Sequence, residues 1–181
     1  RVLVTGAKGF IGSNLVRHFR SGGCDVIEYD YHCKNYKNHK TAIRALSGAQ
    51  AINHLGAISS TTENDIGKLA ENNILFSAEL LQAAIARNIP FIYASSASVY
   101  GHALHGFRED TPCRPLNYYG ISKYSLDMLA EQKMEDNPKA KIIALRYYNV
   151  YGNGEKSKKK MASPISKFLN QAHNRGKIEL F

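Results

Sequence analysis

No apolar run in the 181 residues approaches the ~18 that a membrane-spanning helix needs, which argues against a chain that crosses a membrane. Cysteine is scarce. Cys24, Cys33 and Cys113 are odd in number and lack metal-type spacing, so reduced thiols in a cytoplasmic protein are expected, with no metal centre. His102 and His105 have no third ligand nearby and read as solvent-facing loop residues. There is no internal repeat, and the only low-complexity tract is the lysine run Lys158–Lys160. The opening RVLVTGAKGF enters a glycine loop after four residues, so no signal peptide is expected. What remains is globular composition, 44% hydrophobic and 22% charged, at a length that suits one domain with a substantial core.

Acidic residues are in deficit, 15 against 24 basic, giving a formal net charge of +9. The excess is uneven. Residues 1–50 carry eight basic and three acidic side chains, residues 51–150 nine and ten, and residues 151–181 seven and two. No nucleic-acid-binding motif accompanies this charge, so it reads as a weak field for steering an anionic ligand rather than as a nucleic-acid interface.

Apolar runs alternate with amphipathic stretches. Strands are expected at Val2–Thr5, Asp25–Tyr29, Ala51–Leu55, Pro90–Ala94 and Lys141–Leu145. Phe10, Ile11, Leu15, Val16 and Phe19 recur at helical spacing, and a long helix is expected from Glu63 to Arg87, started by a Ser60/Glu63 capping box. A further helix is expected over Tyr118–Met134. This alternation predicts a doubly wound parallel sheet with helices on both faces. One interval is short: only twenty residues, with a single short helix near Thr41–Ser47, separate Asp30 from Ala51. A regular alternation would place another strand there, and HCKNYKNHK is too polar to be a buried one.

TGAKGFIG sets Gly6, Gly9 and Gly12 between the first strand and first helix. Glycine suits a tight turn and close approach of backbone to a pyrophosphate, and the helix start offers N–H groups and a positive dipole end. Asp30 ends the second strand 18 residues after Gly12, where a carboxylate can bond an adenosine ribose. These features predict a Rossmann-like dinucleotide-binding fold.

The spacing G-x-x-G-x-x-G, together with ASSASVYG (Ala94–Gly101), Tyr119-Gly-Ile-Ser-Lys123 and RYYNVYG (Arg146–Gly152), resembles the extended short-chain dehydrogenase/reductase family. That resemblance implies an enzyme acting on a nucleotide-activated sugar. Tyr119 and Lys123, four apart at a helix start, project from one face. A free phenol with pKa ~10 is a poor base at neutral pH, but a nearby ammonium and an oxidised nicotinamide favour the phenolate. By the resemblance, Ser96 bonds the reacting oxygen and Lys123 also holds the nicotinamide ribose.

Within the family, HLGAISSTTE (His54–Glu63), PLNYYGISK and KMAS (Lys160–Ser163) resemble most closely the branch that epimerises ADP-activated heptoses at C6. The resemblance then implies cofactor contacts from Gly6, Gly9, Phe10, Ile11, Gly12, Asp30, Tyr31, Lys37, Leu55, Gly56, Ala57, Ile58, Ser59, Asn72, Lys123 and Val150. It implies substrate contacts from Ser96, Asn149 and Phe181, and a second acid/base at Lys158, three residues before Met161. NADP is the expected cofactor, with NAD the alternative; a nucleotide sugar is the expected partner, and a homo-oligomer the expected assembly. The single expected domain, residues 1–181, is the cofactor domain, with the family's substrate lobe absent beyond Ile178–Phe181.

Three departures stand out. Lys159 and Lys160 replace a small Gly-Ser pair, Lys167 replaces a histidine, and the short interval after Asp30 lacks the strand that walls the adenine. The alternatives are a 4-epimerase or 4,6-dehydratase of another nucleotide sugar, or a non-catalytic cofactor-binding module. A dehydratase would pair Asp-Glu beside its serine, where this chain has Ala97-Ser98.

Overall fold

The computed structural model describes residues 1–30, 39–102, 106–155, 158 and 162–180. Two compact units partition the chain, Arg1–Tyr147 and Tyr148–Phe181.

In the first unit, β1 (Val2–Thr5), β2 (Val26–Tyr29), β3 (Ala51–His54), β4 (Phe91–Ser96) and β5 (Ile142–Tyr147) form a parallel sheet of order β2-β1-β3-β4-β5. Central β1 is buried on both sides, as the period-two alternation of a parallel strand requires. Leu3 points into one apolar cluster and Val4 into another. Helix α1 (Phe10–Ser21) lays Leu15, Val16 and Phe19 against Val4 and Val26. On the opposite face α2 (His39–Ala45), α4 (Phe76–Ala86) and α5 (Tyr118–Asp136) bury Ala42, Leu80, Leu81, Ala84, Leu126 and Ala130 against Leu3, Ile52, Phe91 and Tyr93. The doubly wound sheet with helices on both faces is therefore the observed fold.

Residues 31–38 of the short interval lie outside the described residues. Among the described residues no strand lies between β2 and β3, and β2 is the sheet edge.

The long helix departs from expectation in two ways. It begins at Ile66, not Glu63, because Asp65 is the N-cap and accepts from Lys68 N–H at 2.9 Å. Glu63 does not reach back to cap Ser60; its carboxylate takes the N–H groups of Asn64 and Asp65 and pairs with Lys68 at 2.8 Å. Farther on, α3 (Ile66–Leu69) passes through a π-helical stretch, Ala70–Leu75, before α4.

The second unit contains α6 (Pro164–Arg175), with Ser163 as N-cap, proline in its first turn, and Gly176 in the left-handed conformation at its end. Before it, the buried carboxylate of Glu155 accepts from the N–H groups of Gly152 and Ser163 and so staples the loop that carries Lys158. Burial alone would raise Glu155, but these amides and the Lys158 charge hold it below the usual carboxylate range.

Candidate active site

Strand order creates the site. β1 lies between β2 and β3, and the crevice outside the carboxyl ends of strands at such a switch point is where open α/β sheets take ligands. Two glycines form its floor. Gly6 adopts φ +65°, and a β-carbon there would lie 2.8 Å from the Cα of Gly56. A β-carbon on Gly12 would lie 2.0 Å from the carbonyl oxygen of Gly6. The chain thus bends back on itself with no room for side chains, and α1 has Gly9 as its N-cap, with no side-chain cap and no acid in its first turn. This cradle, bounded by Gly6, Gly9, Phe10, Ile11 and Gly12, fits a pyrophosphate. Gly12→Ala should cost about 1–3 kcal/mol in stability from overpacking and abolish cofactor binding, measurable by thermal melts and cofactor titration.

Asp30 closes one side. It is buried, and its Oδ2 accepts the backbone N–H of Lys8 at 2.9 Å, tying the end of β2 to the glycine loop.

The loop Leu55–Ser59 closes the other. Thr5 Oγ1 accepts the Gly56 N–H at 3.0 Å and lies 2.7 Å from His54 Nδ1, while His54 Nε2 lies 2.8 Å from Ser77 Oγ. His54 is stacked on Phe91 and edge-on to Phe76. Burial, reinforced by the Lys123 charge, brings its pKa down to about 3, so the ring is a neutral bridge between β1, β3 and α4. Ile58 is held through both backbone groups by Asn73, whose Oδ1 accepts at 2.8 Å and whose Nδ2 donates at 3.0 Å. Asn73 Nδ2 also donates to Ser122 Oγ at 3.0 Å, and Ser122 donates to the Tyr119 carbonyl. The neighbouring Asn72 instead turns back onto the Lys68 carbonyl at 2.8 Å.

Ser96, Tyr119 and Lys123 come together at the end of β4 and the start of α5. Asn117 caps α5 by accepting the Gly120 N–H at 2.8 Å, which presents Tyr119 on the first turn. The Tyr119 hydroxyl shares a hydrogen bond with Ser96, and burial holds the phenol above its ordinary value despite that bond. Lys123 is buried, donates from Nζ to the Ala94 carbonyl at 2.9 Å, and lies 6.0 Å from the Tyr119 ring centroid. Burial lowers its pKa to about 8, with the charge of Asp127 opposing. Lys123 Nζ is thus engaged by a backbone carbonyl while it stands beside the phenol ring. The arrangement can donate a proton to an oxygen placed beside Ser96.

Asn149, Val150 and Lys158 belong to the second unit, with Lys158 half-buried. Tyr31, Lys37, Met161 and Phe181 lie outside the described residues. Sequence reasoning missed His54, Asn73 and Asp127. Asp127 had a signal, since it follows Lys123 by the same four residues that separate Lys123 from Tyr119.

Fold and crevice together define a Rossmann-like dinucleotide-binding α/β domain. The chain belongs to the NAD dependent epimerase/dehydratase family, whose model matches residues 2–181. It is 35% identical to the ADP-L-glycero-D-manno-heptose-6-epimerase of Cupriavidus pinatubonensis and 38% identical to that of Alkalilimnicola ehrlichii. The matches cover 99% of this chain and 60% and 62% of those relatives. The first alignment runs over 206 positions against 181 residues here, so that relative carries internal residues that this chain does not have. The structure of the Helicobacter pylori ADP-L-glycero-D-manno-heptose-6-epimerase superimposes with a TM-score of 0.83 at 28% identity, over 98% of this chain and 64% of that one. MoeE5 in complex with UDP-glucose and NAD gives 0.79 at 29% identity, over 97% and 62%. The chain thus spans about three-fifths of the length of the curated relatives it matches.

Proposed function

We propose that the protein is a nucleotide-sugar epimerase acting on an ADP-activated heptose at C6 through a transient ketone, with NADP as its cofactor. The observation that carries this reading is the convergence of Ser96, Tyr119 and Lys123 beside a glycine cradle, in a chain whose curated relatives are ADP-heptose 6-epimerases.

The cradle at Gly6, Gly9, Phe10, Ile11 and Gly12 holds the pyrophosphate; Asp30 and the loop Leu55–Ser59 line the rest, joined by Asn72, Lys123, Val150 and the basic stretch with Tyr31 and Lys37. When bound, an oxidised nicotinamide dinucleotide supplies the hydride acceptor and donor and a positive charge beside the phenol. Ser96 positions the reacting oxygen by hydrogen bonding. Tyr119 would take the C6 hydroxyl proton as hydride passes to the nicotinamide, and once the ketone presents its other face to the returning hydride a second group would protonate the carbonyl oxygen. Lys158 serves the opposite face, and Asn149 and Phe181 contact the sugar nucleotide. A 4,6-dehydratase is disfavoured because Ala97-Ser98, at the 3-10 turn after β4, offers no carboxylate.

The test is incubation of the protein, in its full reading frame, with ADP-D-glycero-D-manno-heptose and NADP, followed by proton NMR of the heptose side chain. Conversion to the C6 epimer is expected; an unsaturated product, or conversion only of a uridine-linked hexose, would reject the assignment.

NADP over NAD rests on charge. A carboxylate at Asp30 repels a 2′-phosphate, but one of its oxygens is engaged by the Lys8 N–H, and Lys8, Lys34 and Lys37 supply compensating positive charge. Titration with both cofactors should show tighter binding of NADP. Tighter NAD binding would overturn the preference.

A further inference from the structure

Tyr119, Lys123 and Asp127 recur every four residues along one face of α5. Only the first two have a part in the chemistry above. Asp127 is nevertheless buried and heavily engaged. Its Oδ1 accepts the Tyr93 hydroxyl at 2.8 Å, and its Oδ2 accepts the Ser95 hydroxyl at 2.9 Å and the Arg146 Nε at 3.3 Å. Lys123 donates to the carbonyl of Ala94, the residue between those two. Residues 93, 94 and 95 of β4 are therefore each fastened to α5, immediately before Ser96. Arg146 stands opposite Ser95 in the β4–β5 register and continues the chain of contacts to the Tyr100 hydroxyl and the Glu109 carbonyl, both at 3.2 Å.

We propose that Asp127 is the positioning residue of this centre: its carboxylate fixes the register of α5 against the serine-bearing end of β4 and supplies the counter-charge for the Lys123 ammonium. The proposal deepens the reading of Tyr119 and Lys123 as the proton-handling pair and rests on it.

Burial of a carboxylate is costly unless every oxygen is satisfied, and here three donors converge on it. The burial that these three donors offset for Asp127 would, on its own, discharge Lys123. The other titratable groups around the pair do not supply an alternative counter-charge. His54 on β3 is neutral, with its pKa near 3, and Tyr93 on β4 and the Cys113 thiol are both pushed up by burial and stay protonated. Arg146 on β5 is cationic, and Glu131 lies one turn farther along α5. Asp127 is thus the anion that keeps Lys123 an ammonium in a buried site, where it can hold a ribose and support the phenol.

The experiment is an NMR titration of the Lys123 side chain, with lysines carrying 13C-methyl labels, on the chain without substrate, so that its outcome is independent of whether the epimerase assignment is correct. Asp127→Asn preserves shape and removes charge; Lys123 should then titrate about one pH unit or more below the wild type. Arg146→Gln removes the cation beside Asp127 and should move Lys123 the other way. Ser95→Ala removes one hydrogen bond but no charge, and should leave the titration unchanged. An unmoved Lys123 in Asp127→Asn, or shifts of the same sign in Asp127→Asn and Arg146→Gln, would overturn the counter-charge role.

Discussion

Replacing Tyr119 by phenylalanine is expected to lower turnover at least ~10²-fold while leaving cofactor affinity nearly unchanged. The variant keeps the ring and removes only the hydroxyl that shares a hydrogen bond with Ser96. Lys123 remains on the Ala94 carbonyl and the glycine cradle is untouched, so the fold and the dinucleotide site have no reason to change. The loss of a partner for Ser96 should cost about 1 kcal/mol of stability, against the ~2.7 kcal/mol of barrier that a hundredfold rate loss represents. Steady-state turnover alongside cofactor titration separates the two. Turnover equal to wild type would mean that the proton travels by another route.

A still larger effect is expected at Lys158. In the proposed epimerisation hydride leaves C6 from one face and returns to the other, so the C6 oxygen must lose its proton in one orientation and regain one in the other, and Tyr119 would serve only one of these. An amine, with three donor positions on a flexible stem, can serve the other. Lys158 is half-buried in a loop that the Glu155 carboxylate closes through the N–H groups of Gly152 and Ser163. Lys158→Met should abolish epimerisation with cofactor still bound, whereas Lys159→Met and Lys160→Met should cost far less. If all three substitutions reduce activity equally, the run binds phosphate and the two-base assignment fails.

Much of the fold was legible because a buried parallel strand must be apolar: VLVT, VIEY, AINH and FIYASS announce themselves by composition. So was the cradle, since glycines at 6, 9 and 12 have few other uses between a strand and a helix. The start of the long helix was misread because Ser60 and Glu63 have capping-box spacing, yet Asp65 competes for the same role and sits nearer the apolar face. Asn73 escaped notice because helical periodicity assumes 3.6 residues per turn, which a π-helical stretch violates. His54 and Asp127 were hidden for a different reason. A buried polar residue is defined by partners distant in sequence, and Thr5, Ser77, Tyr93, Ser95 and Arg146 come together only in three dimensions.

The π-helical stretch has a consequence that can be counted in residues. One extra residue in a helical turn rotates everything before it by about 100° relative to everything after it. Consecutive asparagines are thereby freed from sharing one helical ladder: Asn73 turns inward to hold both backbone groups of Ile58, and Asn72 bonds back toward α3. A deletion of one residue between Ala70 and Leu75 would restore an unbroken α-ladder from Ile66 to Ala86, which is locally the more regular helix. It would also swing Asn73 off the loop, releasing Ile58 and the Ser122 link to the first turn of α5. In this stretch the less regular helix is the one that the loop Leu55–Ser59 requires, so selection for a better helix and selection for a held loop would pull the chain toward different lengths.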